Sequence, residues 1–153
     1  DITSDIDSRR VAAHGIDVIQ VNTGGGCHLN ANMVDLALEE IPAENAIIFV
    51  ENVGNLVCPA SFDIGEDFKI ALSSVTEGDD KPYKYPAVFE KAMVTVLNKI
   101  DLISHVTFDR DSFYAGLKTL NPNGVTFEVS SVSGDGIKEW SKWLENQFGE
   151  KFK

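Results

Sequence analysis

Apolar positions along the chain follow two alternating rhythms. Continuous apolar runs that end in polar loops occur at IDVIQVN (16–22), AIIFVEN (46–52), FKIALSSV (68–75), MVTVLNK (93–99) and VTFEVSS (125–131). Such runs predict strands covered on both faces, as in a parallel sheet. Between them lie stretches with a helical spacing of apolar residues. SDIDSRRVAAH (4–14) has Thr3 or Ser4 as a cap, acids in its first turn and Gly15 as its stop. NANMVDLALEEI (30–41) places Met33, Leu36, Ala37, Leu38 and Ile41 on an apolar face. AVFEKA (87–92), RDSFYAGLKTLNP (110–122) and DGIKEWSKWLENQF (135–148) complete the series. The alternation predicts an α/β fold, a mostly parallel sheet flanked by helices, in a single domain over residues 1–153 without repeats or linkers. Pro82 and Pro86 stiffen the polar loop TEGDDKPYKYP (76–86).

Composition narrows the partners. The chain of 153 residues carries 24 acidic against 13 basic residues, a net charge of −11 that repels a nucleic-acid backbone. No apolar run approaches the roughly 18 residues that read as a membrane span, and DITSDIDSRR has no basic stretch followed by an apolar one. A cytoplasmic protein is expected, with no nucleic-acid or membrane partner. Cys27 and Cys58 are expected as reduced thiols, because a domain of this size needs no disulfide staple. The chain opens on Asp1 at what reads as a strand end, so an upstream strand is expected.

In parallel α/β sheets, chemistry collects at the carboxyl ends of the strands. NTGGGCH, ENVGN, NKID and SSVSG all fall at such ends. In LNKIDL (97–102) the strand delivers Asn98, Lys99 and Asp101 to its tip. A carboxylate there accepts two hydrogen bonds from guanine, where adenine offers no matching donor pair. The bland alternative is a polar strand end. SSVSG (130–134) follows the next strand, and small residues such as Ser130 and Ser131 let backbone amides approach a base. The two loops in this order favour a guanine nucleotide.

Cys27, His28 and Cys58 form a second constellation. Thiolate and imidazole suit Zn²⁺ or Ni²⁺, and a three-donor site leaves a coordination position open. The alternative is cysteines acting as small buried hydrophobes. Lys81 and Lys84 can meet phosphate as point charges or lie in a solvated loop. Asp1 and Glu51 are the acids that can hold Mg²⁺ through water. No G-x-x-x-x-G-K-[ST] occurs in the chain.

Taken together, NTGGGCHLNANMV, ENVGNLVCPASFDIGE, SVTEGDDKPYKYP, NKIDL and VSSVSGDGIKEWSKWL resemble the hydrogenase nickel-incorporation GTPases, the HypB family of metallochaperones. The resemblance covers essentially the whole chain. It implies a P-loop NTPase-like fold of the SIMIBI class, truncated at the N-terminus so that the upstream strand and P-loop are missing. It further implies a homodimer that binds GTP or GDP with Mg²⁺ and couples hydrolysis to nickel delivery. Its implied partners are a small nickel-binding hydrogenase accessory protein and the [NiFe]-hydrogenase large subunit. On this resemblance Cys27, His28 and Cys58 match a dimer-interface site for Ni²⁺ or Zn²⁺, and Asn98, Lys99 and Asp101 match the guanine-specificity motif. Asp1, Asp7 and Arg10 match a stretch near the magnesium, and Glu51 matches the acid ending a Walker B-like strand. Lys81 and Lys84 fall in a loop near the nucleotide and the dimer partner. The rival expectation is a non-enzymatic metal-binding and dimerisation module with the same fold.

Overall fold

The computed structural model of the chain describes residues 5–42 and 44–151, so the Thr3 or Ser4 cap and Asp1 lie outside the described residues. The chain divides into two compact units at Glu66/Asp67.

The second unit contains a parallel three-stranded sheet, β1 (Lys69–Ser74), β2 (Ala92–Asn98) and β3 (Val125–Glu128), in the order β1-β2-β3. Parallel neighbours need crossover connections, and helices supply them. We number the helices in chain order over both units, α1 (Ile6–Ala12), α2 (Ala31–Leu38) and α3 (Cys58–Ser61) belonging to the first. The loop expected at 76–86 is more ordered than that. A 3₁₀ turn at Val75–Glu77 precedes the one-turn helix α4 (Lys81–Lys84), and α5 (Pro86–Lys91) follows. Both helices carry proline in their first turn, where the missing N–H costs nothing.

The sheet is covered on both faces, as its apolar runs require. Ala71, Leu97 and Val75 pack with Phe89 of α5 and with Phe113 and Leu117 of α6 (Arg110–Leu120). Val94, Val96 and Val129 pack on the opposite side with Ile137, Trp140 and Trp143 of α7 (Ile137–Lys151). Ala92 belongs to the first cluster although Val94 and Val96 face the second. The reason is a register irregularity: Lys69 pairs with Ala92 and Ile70 with Val94, passing over Met93. One extra residue reverses the inward-outward alternation beyond it. Phe89 and Phe113 are fully buried, and truncating either to Ala would cost about 3–5 kcal/mol.

Side chains tie the helices to the sheet. Asn121 donates from Nδ2 to the Ala92 carbonyl at 2.8 Å, and the Tyr83 hydroxyl donates to the Ser112 carbonyl at 2.8 Å. Asp109 caps α6 by accepting from the Ser112 N–H at 3.0 Å. Tyr114 donates to Glu128 at 3.1 Å, and Arg110 pairs with the same carboxylate at 2.9 Å. Burial, reinforced by the Glu128 charge, pushes the Tyr114 phenol up to about 12.

The first unit differs from expectation in one respect. Its helices α1, α2 and α3 lie where the apolar spacing and the Cys-Pro step allow, but residues 16–22 and 46–52 form no strands. A strand exists only where a neighbour completes its ladder. All ladder pairing among the described residues runs between β1, β2 and β3. Ile16, Ile47, Ile48, Phe49 and Val50 are consequently exposed, Phe49 by 65%.

Candidate functional site

The NKID and SSVSG loops, expected to read a base, are hydrogen-bonded to each other. β2 ends at Asn98, and Lys99 turns into the left-handed region with φ 61°. That conformation is costly for a residue with a side chain, and such outliers collect where a loop is over-determined. Here Asn98 provides the constraint. Its Oδ1 accepts from the Lys99 N–H at 2.7 Å and from the backbone and hydroxyl of Ser131, both at 3.2 Å. The turn lets the Ile100 N–H donate to the Val129 carbonyl at 3.2 Å, and a 3₁₀ segment over Ile100–His105 carries Asp101.

Ser130 is fully buried and donates to Asp101 Oδ1 at 2.5 Å. Its Oγ also accepts from the N–H groups of Val132 and Ser133, at 3.3 and 3.1 Å. The Ser130 N–H is in turn held by the Asp135 carbonyl at 2.9 Å. Gly136 adopts φ +70°, and a Cβ there would lie 2.0 Å from the Glu128 carbonyl. Only glycine fits where the loop folds back onto the end of β3. Asn98, Asp101, Ser130 and Ser131 thus form one hydrogen-bonded unit. It fixes a carboxylate oxygen at the strand tips in a geometry suited to a planar ring bearing paired N–H donors.

Lys81 and Lys84 both lie on α4. Lys84 pairs with Asp80 at 2.5 Å, which holds the ammonium above its ordinary range and the carboxylate below its own. The Lys81 ammonium stands 5.3 Å from the centre of the Tyr85 ring. Both cations therefore have neighbours already in place.

Cys27, His28 and Cys58, the expected metal donors, lie in the first unit. In the loop NTGGGCH, Thr23 Oγ1 donates to the Gly26 carbonyl at 3.0 Å and Asn22 accepts from the Gly24 N–H at 2.9 Å. Cys27 Sγ stands 3.5 Å from His28 Nδ1. The His28 ring stacks on Phe62, with centroids 3.8 Å apart and planes inclined by 7°. Cys58 opens α3, and Pro59 occupies the first turn of that helix. A hydrogen bond with the Cys27 thiol, aided by desolvation, pushes the Cys58 thiol up from its ordinary value.

Two asparagines hold these loops together, and neither was singled out from the sequence. Asn52 Oδ1 accepts from the N–H groups of Leu29 and Val53, both at 2.8 Å. Asn55 donates to the Cys27 carbonyl at 2.8 Å and accepts from the N–H groups of Cys58 and Val57, at 2.9 and 3.1 Å. The available signal was local: two asparagines bracketing a glycine favour turns in which the side chain bonds to backbone. Asn30 likewise caps α2, accepting from the Met33 N–H at 3.0 Å.

Among the described residues, no three His, Cys, Asp or Glu side chains gather where they could hold a metal ion. Cys27 stands beside His28 and hydrogen-bonds with the Cys58 thiol, so soft and borderline donor atoms meet pairwise here without forming a ligand group. Glu51 is exposed in the non-strand segment that precedes Asn52. Asp1 lies outside the described residues. Asp7 and Arg10 pair with each other on the exposed face of α1 at 3.1 Å.

Comparison with known proteins gives a consistent result. Residues 1–127 match the family model described as CobW/HypB/UreG, nucleotide-binding domain. The hydrogenase maturation factor HypB of Azotobacter chroococcum mcd 1 is 47% identical over 154 aligned residues, covering all of this chain and 50% of that protein. Its counterpart in Escherichia coli (strain K12) is 49% identical over 142 residues, covering 92% of this chain and 49% of that protein. The chain spans about half the length of these curated relatives. The crystal structure of HypB from Helicobacter pylori in complex with nickel superposes with a TM-score of 0.92 at 31% identity, covering 99% of this chain and 73% of that one. The parallel sheet flanked by helices is the P-loop NTPase-like architecture of that structure. With most of its length matched by the family model and nearly all of it by a HypB structure, the chain belongs to the CobW/HypB/UreG family, in its HypB branch.

Proposed function

We propose that this chain is the core of a GTP-dependent nickel metallochaperone that acts in [NiFe]-hydrogenase maturation, with residues 1–153 working as one GTPase-like domain. One observation carries the reading. The same chain holds a hydrogen-bonded Asn98–Asp101–Ser130–Ser131 unit that would suit a base, and Cys27 and Cys58, whose backbones are joined through Asn55. Its relatives are named hydrogenase maturation factors, and one was solved with nickel, which supports the assignment.

In this reading Asp101 accepts the two N–H donors of guanine, one on each oxygen, while Ser130 holds the carboxylate in place through Oδ1. Asn98 locks the two loops at the correct spacing, and the Lys99 stem lies along the ring. Cys27, His28 and Cys58 take up Ni²⁺, with Zn²⁺ as the competing ion, and the fourth position stays open for transfer. The donor set is completed in a homodimer. A small nickel-binding accessory protein supplies the metal and the hydrogenase large subunit receives it, in the cytoplasm. Lys81, Lys84, Glu51 and Asp1 serve the phosphates and Mg²⁺ of GTP, with Asp1 and Glu51 as the acids of the hydrolytic step. That step needs a cradle of backbone amides and a lysine, for which the sequence carries no G-x-x-x-x-G-K-[ST] motif. A non-enzymatic metal-binding and dimerisation module is therefore the second reading.

Calorimetric titration with GDP, with ADP as control, tests the proposal. Binding of GDP without ADP is the expected outcome. Binding of neither, alongside intact nickel binding, would replace the GTPase reading with the metal module.

A further inference from the structure

The Cys27 and Cys58 loops meet through one side chain. The Asn55 amide donates from Nδ2 to the carbonyl of Cys27, 28 residues earlier in the chain, at 2.8 Å. Its oxygen accepts from the backbone N–H of Cys58 at 2.9 Å and from that of Val57 at 3.1 Å. A single planar group therefore grips the backbone of both cysteines, and no bond uses a sulfur. The network also fixes the amide's orientation, because a carbonyl needs a donor and two N–H groups need an acceptor.

We infer that Asn55 is the positioning residue of the metal-donor site, setting the separation of the two cysteine backbones so that both thiols reach one ion. The inference rests on the nickel reading above. Three further observations agree with it. The Cys58 N–H, which α3 leaves without an intrahelical partner, is satisfied by Asn55, the residue that also holds Cys27. Phe62, the residue closing the same helix, stacks on His28 at 3.8 Å and so fixes the third donor's ring from the Cys58 side. Asn52 makes a parallel tie, joining Leu29 to Val53, so the junction is clamped on both sides of the donors.

The physical consequence is preorganisation. Two loops held at a set distance lose little freedom when an ion bridges them, whereas untied loops must be ordered at that moment. Outer partners that orient metal ligands are typically worth 10–100-fold in affinity. Other residue types cannot substitute fully. Serine at position 55 would keep an acceptor for the Cys58 N–H but is too short to span to Cys27, and alanine would lose both bonds.

The test uses the full chain and Ni²⁺ itself, comparing wild type, Asn55→Ala, Asn55→Ser and Cys27→Ala. Affinity is read by competition with a chelator, and coordination by the thiolate-to-nickel charge-transfer absorbance. In wild type the band should form at one equivalent and in Cys27→Ala it should weaken. Both Asn55 variants should lose about 10–100-fold in affinity and show a weaker band at one equivalent. A merely structural role would lower thermal stability yet leave the nickel affinity and the band at one equivalent unchanged, and that result would overturn the inference. If wild type and Cys27→Ala behave as expected but both Asn55 variants match wild type, the nickel reading stands and the inference falls. Absence of the band in wild type would remove the nickel reading and the inference with it. Should Asn55→Ala fail to give a cooperative thermal transition, Asn55→Ser, which retains an acceptor for the Cys58 N–H, decides.

Discussion

Asp101 and Ser130 illustrate what a single pair can determine. A buried hydroxyl donating to a carboxylate at 2.5 Å keeps that carboxylate aimed before any base arrives. Hydrogen bonds to charged groups contribute about 1.5–3 kcal/mol, so Ser130→Ala should weaken GDP binding at least about tenfold in calorimetric titration. Asp101→Ala should abolish the preference for GDP over ADP altogether. At the other site the Cys58 thiol is raised by its neighbour Cys27, and a thiol must lose its proton to bind a metal. Nickel affinity should therefore already fall as pH drops toward the ordinary thiol value and keep falling below it, with proton release during titration in weakly buffered solution. Asn98, Lys99, Asp101 and Ser130 could be singled out from the sequence because they stand in two short motifs, NKID and SSVSG. Asn55 and Phe62 were not, since their roles come from contacts with Cys27 and His28 that no local pattern encodes.

Among the elements, β1, β2 and β3 with α5, α6 and α7 lie within a few residues of where periodicity put them, because each buries the face that its pattern marks. The segments at 16–22 and 46–52 carry an equally strong apolar signal and form no strand. Apolar runs report a tendency to be covered, whereas a strand also needs a partner's ladder, which lies outside local sequence. Glycine positions offer a direct check on packing. Gly136→Ala would place a Cβ 2.0 Å from the Glu128 carbonyl at a left-handed φ, and should cost about 3 kcal/mol, lowering the melting temperature by about 10 °C or more. Gly149→Ala, with open space around it in α7, should be neutral or stabilising by up to about 1 kcal/mol. Tyr114 gives a pH-dependent counterpart. Its phenol is raised to about 12 in the folded chain, so its contribution is complete below about pH 10 and is lost as pH rises through 12. Denaturant midpoints should therefore fall across that interval, and less so in Tyr114→Phe.

For the molecule as a whole, the alternation of apolar runs was enough to read an α/β fold. The family was legible from combined motifs rather than from any single one. The division at Glu66/Asp67 was not, because no change in composition marks it. Both tryptophans of the chain, Trp140 and Trp143, stack against each other on α7 with ring centroids 5.6 Å apart, beside Phe127. Intrinsic tryptophan emission is thus an optical report from the second unit alone. A fluorescence melt would follow Gly136→Ala faithfully and hold no local probe of the Cys27–Asn55–Cys58 junction, so the two halves of this chain call for differently coloured light.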